Sequence, residues 1–280
     1  MPERRPIDVD RRETGEREVP TRSGPGRFRE VRHFPEIDST NRYALDAARA
    51  GAPEGLVVVA DHQTAGRGRL GRAWEAAPGS SLLVSALLRP PVRLATRVVQ
   101  AAGLALADAV EAVAGVGAGL KWPNDLIVGD RKLAGILVEA QLGAAPPAVV
   151  VGIGCNVNWT AVPGDLAASA TACNLEAGRP VDRDALLDAL LVRLDTRLDA
   201  LGDPSLLADY RDRLFTLGQR VRAETSSSVV TGIAVDVAAD GELVVEDDNG
   251  ARVTILAGNV VRLRPEADDV RDRGPRGGAR

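Results

Sequence analysis

Residues 121–139 read KWPNDLIVGDRKLAGILVE, a stretch that holds both lysines of the chain, Lys121 and Lys132. The other 33 of its 35 basic residues are arginine. An ammonium is a compact point charge on a mobile stem, whereas a guanidinium is a planar fork. The two are therefore not interchangeable where phosphate or developing negative charge must be gripped in a small space. Around the lysines the pattern is strand, turn, strand. Trp122-Pro123 sets a rigid bend with Asn124 and Asp125 at its apex. Apolar runs over 119–122, 126–128 and 132–140 predict three strands, with Gly129-Asp130 as the tight turn between the second and third. Such a ribbon returns Lys132 to the sheet edge that carries Lys121, so that Lys121, Asn124 and Lys132 can meet on one polyanionic ligand. An exposed ribbon with two lysines and an Asx-type turn satisfies the same pattern. Gly135 inside the third strand marks close approach of backbone or ligand.

Upstream, residues 63–74 read QTAGRGRLGRAW. Gly66, Gly68 and Gly71 satisfy the dinucleotide spacing G-x-G-x-x-G, but that fold needs a helix directly after the turn. The following AWEAAPGSS, with Pro78 and Gly79, cannot propagate one. Arg67, Arg69 and Arg72 interleaved with glycine fit either a solvated surface loop or a lid that closes over an anionic ligand. A position between two buried strands favours the lid. Downstream, VVVGIGCNVN places Gly152, Gly154 and Asn156 at a strand end, where Asn156 either reaches a metal-bound phosphate or holds a turn.

The rest of the chain alternates. Residues 27–34, 56–60, 81–88 and 148–156 read as strands. Asp38 and Ser39 can cap a helix running to Ala50, Leu94–Ala114 has helical apolar spacing, and Asp182 caps a helix over Arg183–Leu201 followed by a shorter one after Pro204. After Gly218 come short alternating strands with an Asn249-Gly250 hairpin turn. The expected organisation is a disordered tail over 1–26, a mixed α/β domain over 27–217, a small β-barrel-like domain over 218–265, and a second tail over 266–280.

Composition narrows the function. With net charge −4 and a pI near 5.4, no global basic field draws the chain to nucleic acid or to a membrane surface, and 3% aromatic residues leave few stacking platforms. Two cysteines, Cys155 and Cys173, make neither a disulfide framework nor a four-ligand zinc site. Neither histidine, His33 or His62, has a partner pattern for nucleophile activation. No apolar leader or membrane span is visible, so a cytoplasmic location is the expectation.

Taken together, DSTN (38–41), QTAGRGRLGR (63–72), KWPNDL (121–126), RKLAGILVE (131–139) and GIGCNVN (152–158) resemble the motifs of biotin protein ligases, in that family's order. The resemblance implies an α+β fold: a class II aminoacyl-tRNA synthetase/biotin ligase-like catalytic core with a small SH3-like β-barrel C-terminal domain. It implies that Ser39, Thr40, Asn41 and Gln63 hold biotin, and that Gly66, Arg67, Gly68 and Arg69 form the loop ordering over the acyl-adenylate. Arg69 matches the position whose loss lets the intermediate leak. Lys132 matches the lysine that touches both the biotin carboxylate and the α-phosphate. Arg72, Trp74, Lys121, Asn124 and Asn156 match positions around ATP, Trp74 against the adenine, while Asp125 takes a turn or supporting role. Mg²⁺ would be held mainly by the ATP phosphates, with no certain protein ligand.

The implied reaction activates biotin as biotinyl-5′-AMP and transfers it to a lysine of a biotin carboxyl carrier domain of acyl-CoA carboxylases. A monomer or a ligand-dependent homodimer is implied. Some members carry an N-terminal DNA-binding domain; the charged residues before the core are too few for one, so no nucleic-acid partner is expected. A lipoate–protein ligase or octanoyltransferase of the same fold is the nearest alternative, ahead of an NAD-dependent oxidoreductase or a non-catalytic biotin binder.

Overall fold

The computed structural model describes residues 19–141, 147–162, 164–225, 228–256 and 258–262. Eight strands form one mixed sheet: β1 (Val19–Arg22), β2 (Glu30–Ile37), β3 (Leu56–Gln63), β4 (Ser81–Leu88), β5 (Gly119–Lys121), β6 (Asp125–Val128), β7 (Arg131–Gln141) and β8 (Ala148–Asn156). Their spatial order is β1-β2-β3-β4-β8-β7-β6-β5. Only the β2–β3 pair is parallel, and helix α1 (Thr40–Arg49) supplies its crossover. Ser39 caps α1, accepting from Arg42 N at 3.5 Å, as its sequence position leads one to expect.

All eight residues of β4 are buried, because helices cover both faces of the sheet. On one side α1 packs on β3, β4 and β8 around Phe34, Leu45 and Val58. On the other, α2 (Val98–Ala114) lies between the sheet and α4 (Arg183–Asp199) and α5 (Pro204–Arg213), burying Leu104, Leu106, Leu186 and Leu190. A short helix, α3 (Cys173–Ala177), packs against α2.

The last five strands, β9 (Arg220–Glu224), β10 (Val229–Val237), β11 (Leu243–Asp247), β12 (Arg252–Ile255) and β13 (Asn259–Arg262), form an antiparallel sheet in the order β12-β11-β10-β9-β13. Its inward residues Val221, Val237, Leu243 and Val245 join the main core. Trp122 Nε1 donates to Gly241 O at 2.8 Å, and Arg211 grips Asp236 with two bonds of 2.7 and 3.2 Å, so the second sheet is fastened to the first beside the lysine hairpin.

Three expectations change. Val19–Arg22, within the stretch read as a tail, is an edge strand on β2. Ladder bonds come from the backbone, so apolar content alone did not reveal it. The first core strand starts at Glu30 rather than residue 27, because Pro25 and Gly26 make a turn closed by Phe28 N to Pro25 O at 3.0 Å. The helix expected from Leu94 is a 3₁₀ turn over Val92–Arg97 that becomes α-helical at Val98. Pro91 precedes it and no side chain caps it. The remaining tail residues, 1–18 and 263–280, lie outside the described residues.

Candidate active site

A cavity of about 220 Å³ opens where β7, β8, the N-terminus of α1, the lysine hairpin and the 63–74 loop meet. The hairpin is built as its residues suggest. Trp122-Pro123 is a cis peptide, Trp122 is buried, and Lys121 pairs with Asp125 across β5–β6. Asn124 Nδ2 donates to Ile136 O at 2.7 Å, which turns its Oδ1 toward the cavity.

Lys132 reaches the same space by a less obvious route. On a regular strand, residues three apart face opposite sides. The β6–β7 register shifts between Leu126↔Ala134 and Ile127↔Lys132, and this bulge turns Lys132 to the face of Gly135. A Cβ built on Gly135 would lie 3.1 Å from Lys132 Nζ. The Lys132 backbone is clamped on both sides: its N donates to Ser169 O at 2.8 Å and its O accepts from Thr171 N at 2.9 Å. Lys132 Nζ pairs with Asp125 Oδ1 at 2.7 Å and sits 5.5 Å from the ring centroid of Trp74, within cation–π range.

Gly135 and Gly154 are register partners on β7 and β8 and form a bare floor under Trp74. A Cβ on Gly154 would fall 2.5 Å from Trp74 Cε2, and one on Gly135 3.2 Å from its Cζ3. Backbone without side chains is what lets the indole lie flat on the sheet.

At the opposite end the wall is polar. Gln63 Oε1 accepts from Thr40 N at 2.8 Å and Thr40 Oγ1 at 3.0 Å. Buried Ser85 Oγ lies 2.7 Å from Thr40 Oγ1 and 2.6 Å from Asn41 Oδ1. Asn41 Nδ2 donates to Glu139 Oε2 at 2.8 Å. Gly152 leaves room for this amide, since a Cβ there would stand 2.0 Å from Asn41 Oδ1. Gly152→Ala is accordingly expected to cost roughly 1–3 kcal/mol, the usual penalty of overpacking a well-filled interior. Urea unfolding that leaves stability within 0.5 kcal/mol (about the spread of neutral surface changes) would contradict that packing.

The 63–74 loop folds over the cavity and no helix follows its glycines, as argued against a dinucleotide site. Trp74 N donates to Gly66 O at 3.0 Å and Gly68 N to Arg72 O at 2.7 Å, closing a finger whose tip is a 3₁₀ turn over Arg69–Gly71. Leu70 at the tip has φ of 57° and is 71% exposed. Arg69 points inward and donates to Asn124 Oδ1 at 3.1 Å and to O of Gly258, the residue before β13, at 3.4 Å. Burial lowers the pKa of Arg69 below the ordinary arginine value; Asp125 opposes this and Arg72 adds to it.

Of the expected site residues, Ser39, Thr40, Asn41, Gln63, Arg67, Gly68, Arg69, Arg72, Trp74, Lys121, Asn124 and Lys132 line this one cavity. Gly66 is at the base of the finger instead. Asn156 is not brought to the cavity: it is buried and its Nδ2 donates to Thr171 O at 2.9 Å, holding the segment that clamps Lys132. Asp125, expected only to turn the chain or support its neighbours, is the ion-pair partner of Lys132. Residue type and spacing do not single out Ser85 and Glu139, although a serine inside SLLVSALL is a signal that a buried hydroxyl needs partners. Nothing in the sequence pointed to Gly258.

His33 pairs with Asp61 at 3.1 Å and His62 with Glu36 at 2.9 Å, away from the cavity. Cys155 and Cys173 are buried free thiols. Among the described residues there is no cluster of three or more His, Cys, Asp or Glu fit to hold a metal, and no helix long and apolar enough to cross a membrane.

Residues 33–156 match the model of the biotin/lipoate A/B protein ligase family, and residues 216–263 match that of the biotin protein ligase C terminal domain. The class is thus one of protein ligases that handle biotin or lipoate. The biotin–[acetyl-CoA-carboxylase] ligase of Mycobacterium tuberculosis is 40% identical over 248 residues, covering 85% of this chain and 90% of the relative. The ligase of the same name from Paracoccus denitrificans is 34% identical over 228 residues, covering 77% and 94%. The solved biotin protein ligase of Aquifex aeolicus, in complex with biotin and ATP, aligns with a TM-score of 0.72 at 27% identity, over 83% of this chain and 99% of that one. The chain belongs to the biotin protein ligase family.

Proposed function

We propose that the chain is an ATP-dependent ligase that activates biotin as biotinyl-5′-AMP and transfers it to a lysine of a biotin carboxyl carrier domain. The observation that carries this reading is the convergence of Lys121, Lys132, Asn124 and Arg69 on one cavity whose far wall is the Thr40–Gln63 pair. A carboxylate and a triphosphate repel each other, and cations placed beforehand offset that repulsion while adding stabilisation as charge grows on the α-phosphorus. A biotin carboxylate oxygen attacks that phosphorus, the bond to the β-phosphate bridge breaks, and pyrophosphate leaves. Lys132 is placed to touch both anions once it exchanges Asp125 for ligand. Gln63, whose Oε1 is held by Thr40, presents its Nε2 to a urea-like group. The finger then keeps water from the mixed anhydride until an acceptor lysine attacks the acyl carbon and AMP departs.

Mg²⁺ usually binds through one or two carboxylates, substrate phosphates and several waters. Asp125, with Asn124 beside it, gives the cavity that much and no more, which fits a metal carried mainly by ATP; when bound it would neutralise phosphate charge. We read residues 27–217, with the edge strand Val19–Arg22 added to their sheet, as the catalytic domain. Residues 218–265 are read as the small SH3-like domain; the five strands described within it form an open antiparallel sheet with β12 and β13 at its edges.

Incubation with ATP, Mg²⁺, biotin and a carrier domain, followed by mass analysis of the acceptor, is expected to show one biotinyl group on one lysine. Equal or greater labelling with lipoate in place of biotin would move the assignment to the lipoate branch of the class.

A further inference from the structure

We propose that Glu139 is the positioning residue that moors the finger to the biotin-side wall. The inference rests on the ligase reading for its kinetic consequence but not for its geometry. Glu139 Oε2 accepts from Asn41 Nδ2 at 2.8 Å and from Arg67 Nη2 at 3.1 Å, so one carboxylate joins α1 to the finger across β7. Asn41 is 4% exposed and its amide is already in use. Its Nδ2 goes to Glu139, with Leu137 O at 3.4 Å, and its Oδ1 faces Ser85 Oγ at 2.6 Å. With its polar atoms spent inside the protein, Asn41 acts as a relay rather than as a ligand group. The relay continues through Ser85 and Thr40 to Gln63, the side chains that shape the polar end of the cavity.

Arg67 is the outer end of this chain. Its side chain is 46% exposed while that of Glu139 is 26% exposed, so the pair sits at the cavity rim, where the finger must lift to admit ligand. A guanidinium has five donors, and the bond to Glu139 leaves others free to meet an incoming anion. A charge-assisted bond here therefore sets where the finger rests before ligand arrives and how long it stays down afterwards. Arg69 makes the other mooring, on Asn124 and Gly258, beside Leu70, the exposed tip.

Glu139→Gln separates mooring from packing, because an amide oxygen still accepts from Asn41 while the charge facing Arg67 is gone. Two readouts test it. In the ligand-free chain, trypsin cleavage after Arg67, Arg69 and Arg72, mapped by mass, is expected to quicken about two- to fivefold at an unchanged melting temperature, the factor that loss of one partly exposed ion pair produces. In single turnover with ATP, Mg²⁺ and biotin, the half-time of adenylate retention is expected to fall by a similar factor and by more than the rate of adenylate formation. Arg67→Ala is expected to shorten retention too, and the double variant to do no worse than the worse single. Finger cleavage and retention both unchanged in Glu139→Gln overturn the proposal. So does a double variant whose effects multiply, or a loss of melting temperature that accounts for both changes. A native chain that forms no adenylate, with finger cleavage still quickened by Glu139→Gln, overturns the ligase reading and leaves the mooring standing.

Discussion

Lys132→Arg is expected to lower adenylate formation by about 10²–10³-fold, the cost of removing one placed donor from a site of developing charge. A positive charge remains in this variant, so the loss tests shape. Lys132 Nζ occupies a slot bounded by Asp125 at 2.7 Å, the Trp74 ring centroid at 5.5 Å and the bare backbone of Gly135. The flat fork of arginine is wider than an ammonium and must either push the indole off its glycine floor or lie outside the slot. Either outcome moves the charge away from the point at which carboxylate and phosphate meet. Pyrophosphate exchange with biotin and ATP measures the step. A variant within a few-fold of the native rate would remove the physical reason offered for two lysines surviving in an arginine chain. Lys132→Ala is expected to be at least as impaired, since it also leaves Asp125 without its partner.

Arg69→Gly is expected to separate formation of the intermediate from its retention. The side chain ties the finger to Asn124 Oδ1 at 3.1 Å and to Gly258 O at 3.4 Å, and its replacement adds another glycine to a loop that already holds Gly66, Gly68 and Gly71. A bond to a charged group is worth roughly 1.5–3 kcal/mol, so the open finger should gain about 10- to 100-fold in population. The added backbone freedom shifts the balance the same way. Biotinyl-5′-AMP then escapes and acylates lysines at large. Incubating the variant with ATP, Mg²⁺, biotin and an unrelated bystander protein, then counting modified bystander lysines by mass, checks this. Unchanged retention, or a variant that makes no adenylate at all, would contradict the assignment of the finger as a cover.

Much of the secondary structure was legible because its determinants are local. Ser39 and Asp182 cap the helices they were expected to cap, and Asp182 Oδ1 accepts from Asp184 N and Ala185 N at 2.9 and 3.1 Å. Strands β4 and β8 have the bounds that their mostly apolar runs suggest. The same holds for the hairpin turns at Gly129 and Gly250, both at positive φ. Elements defined by their partners were not legible. Val19–Arg22 becomes a strand only because β2 offers it an edge, and the 3₁₀ start before Val98 depends on how the chain leaves Pro91.

Within the site, residue type and spacing fix which side chains are present and roughly where each sits along the chain. The glycine-arginine finger, the KWPND bend, the two lysines and the glycines of β8 could all be named from residue type and spacing. What those groups do to one another depends on how the chain packs. Packing used the bulge before Ile127 to turn Lys132 onto the face of Gly135 and Asp125, and it committed Asn156 to Thr171. It also drew Arg67 onto Glu139, 72 residues away, and brought Gly258, just before β13, to Arg69. The division has a simple cause. Caps, turns and alternation are short-range and recorded in neighbouring residues. Register, bulges and hydrogen bonds across long stretches of chain are settled only when the sheet and its covering helices pack together.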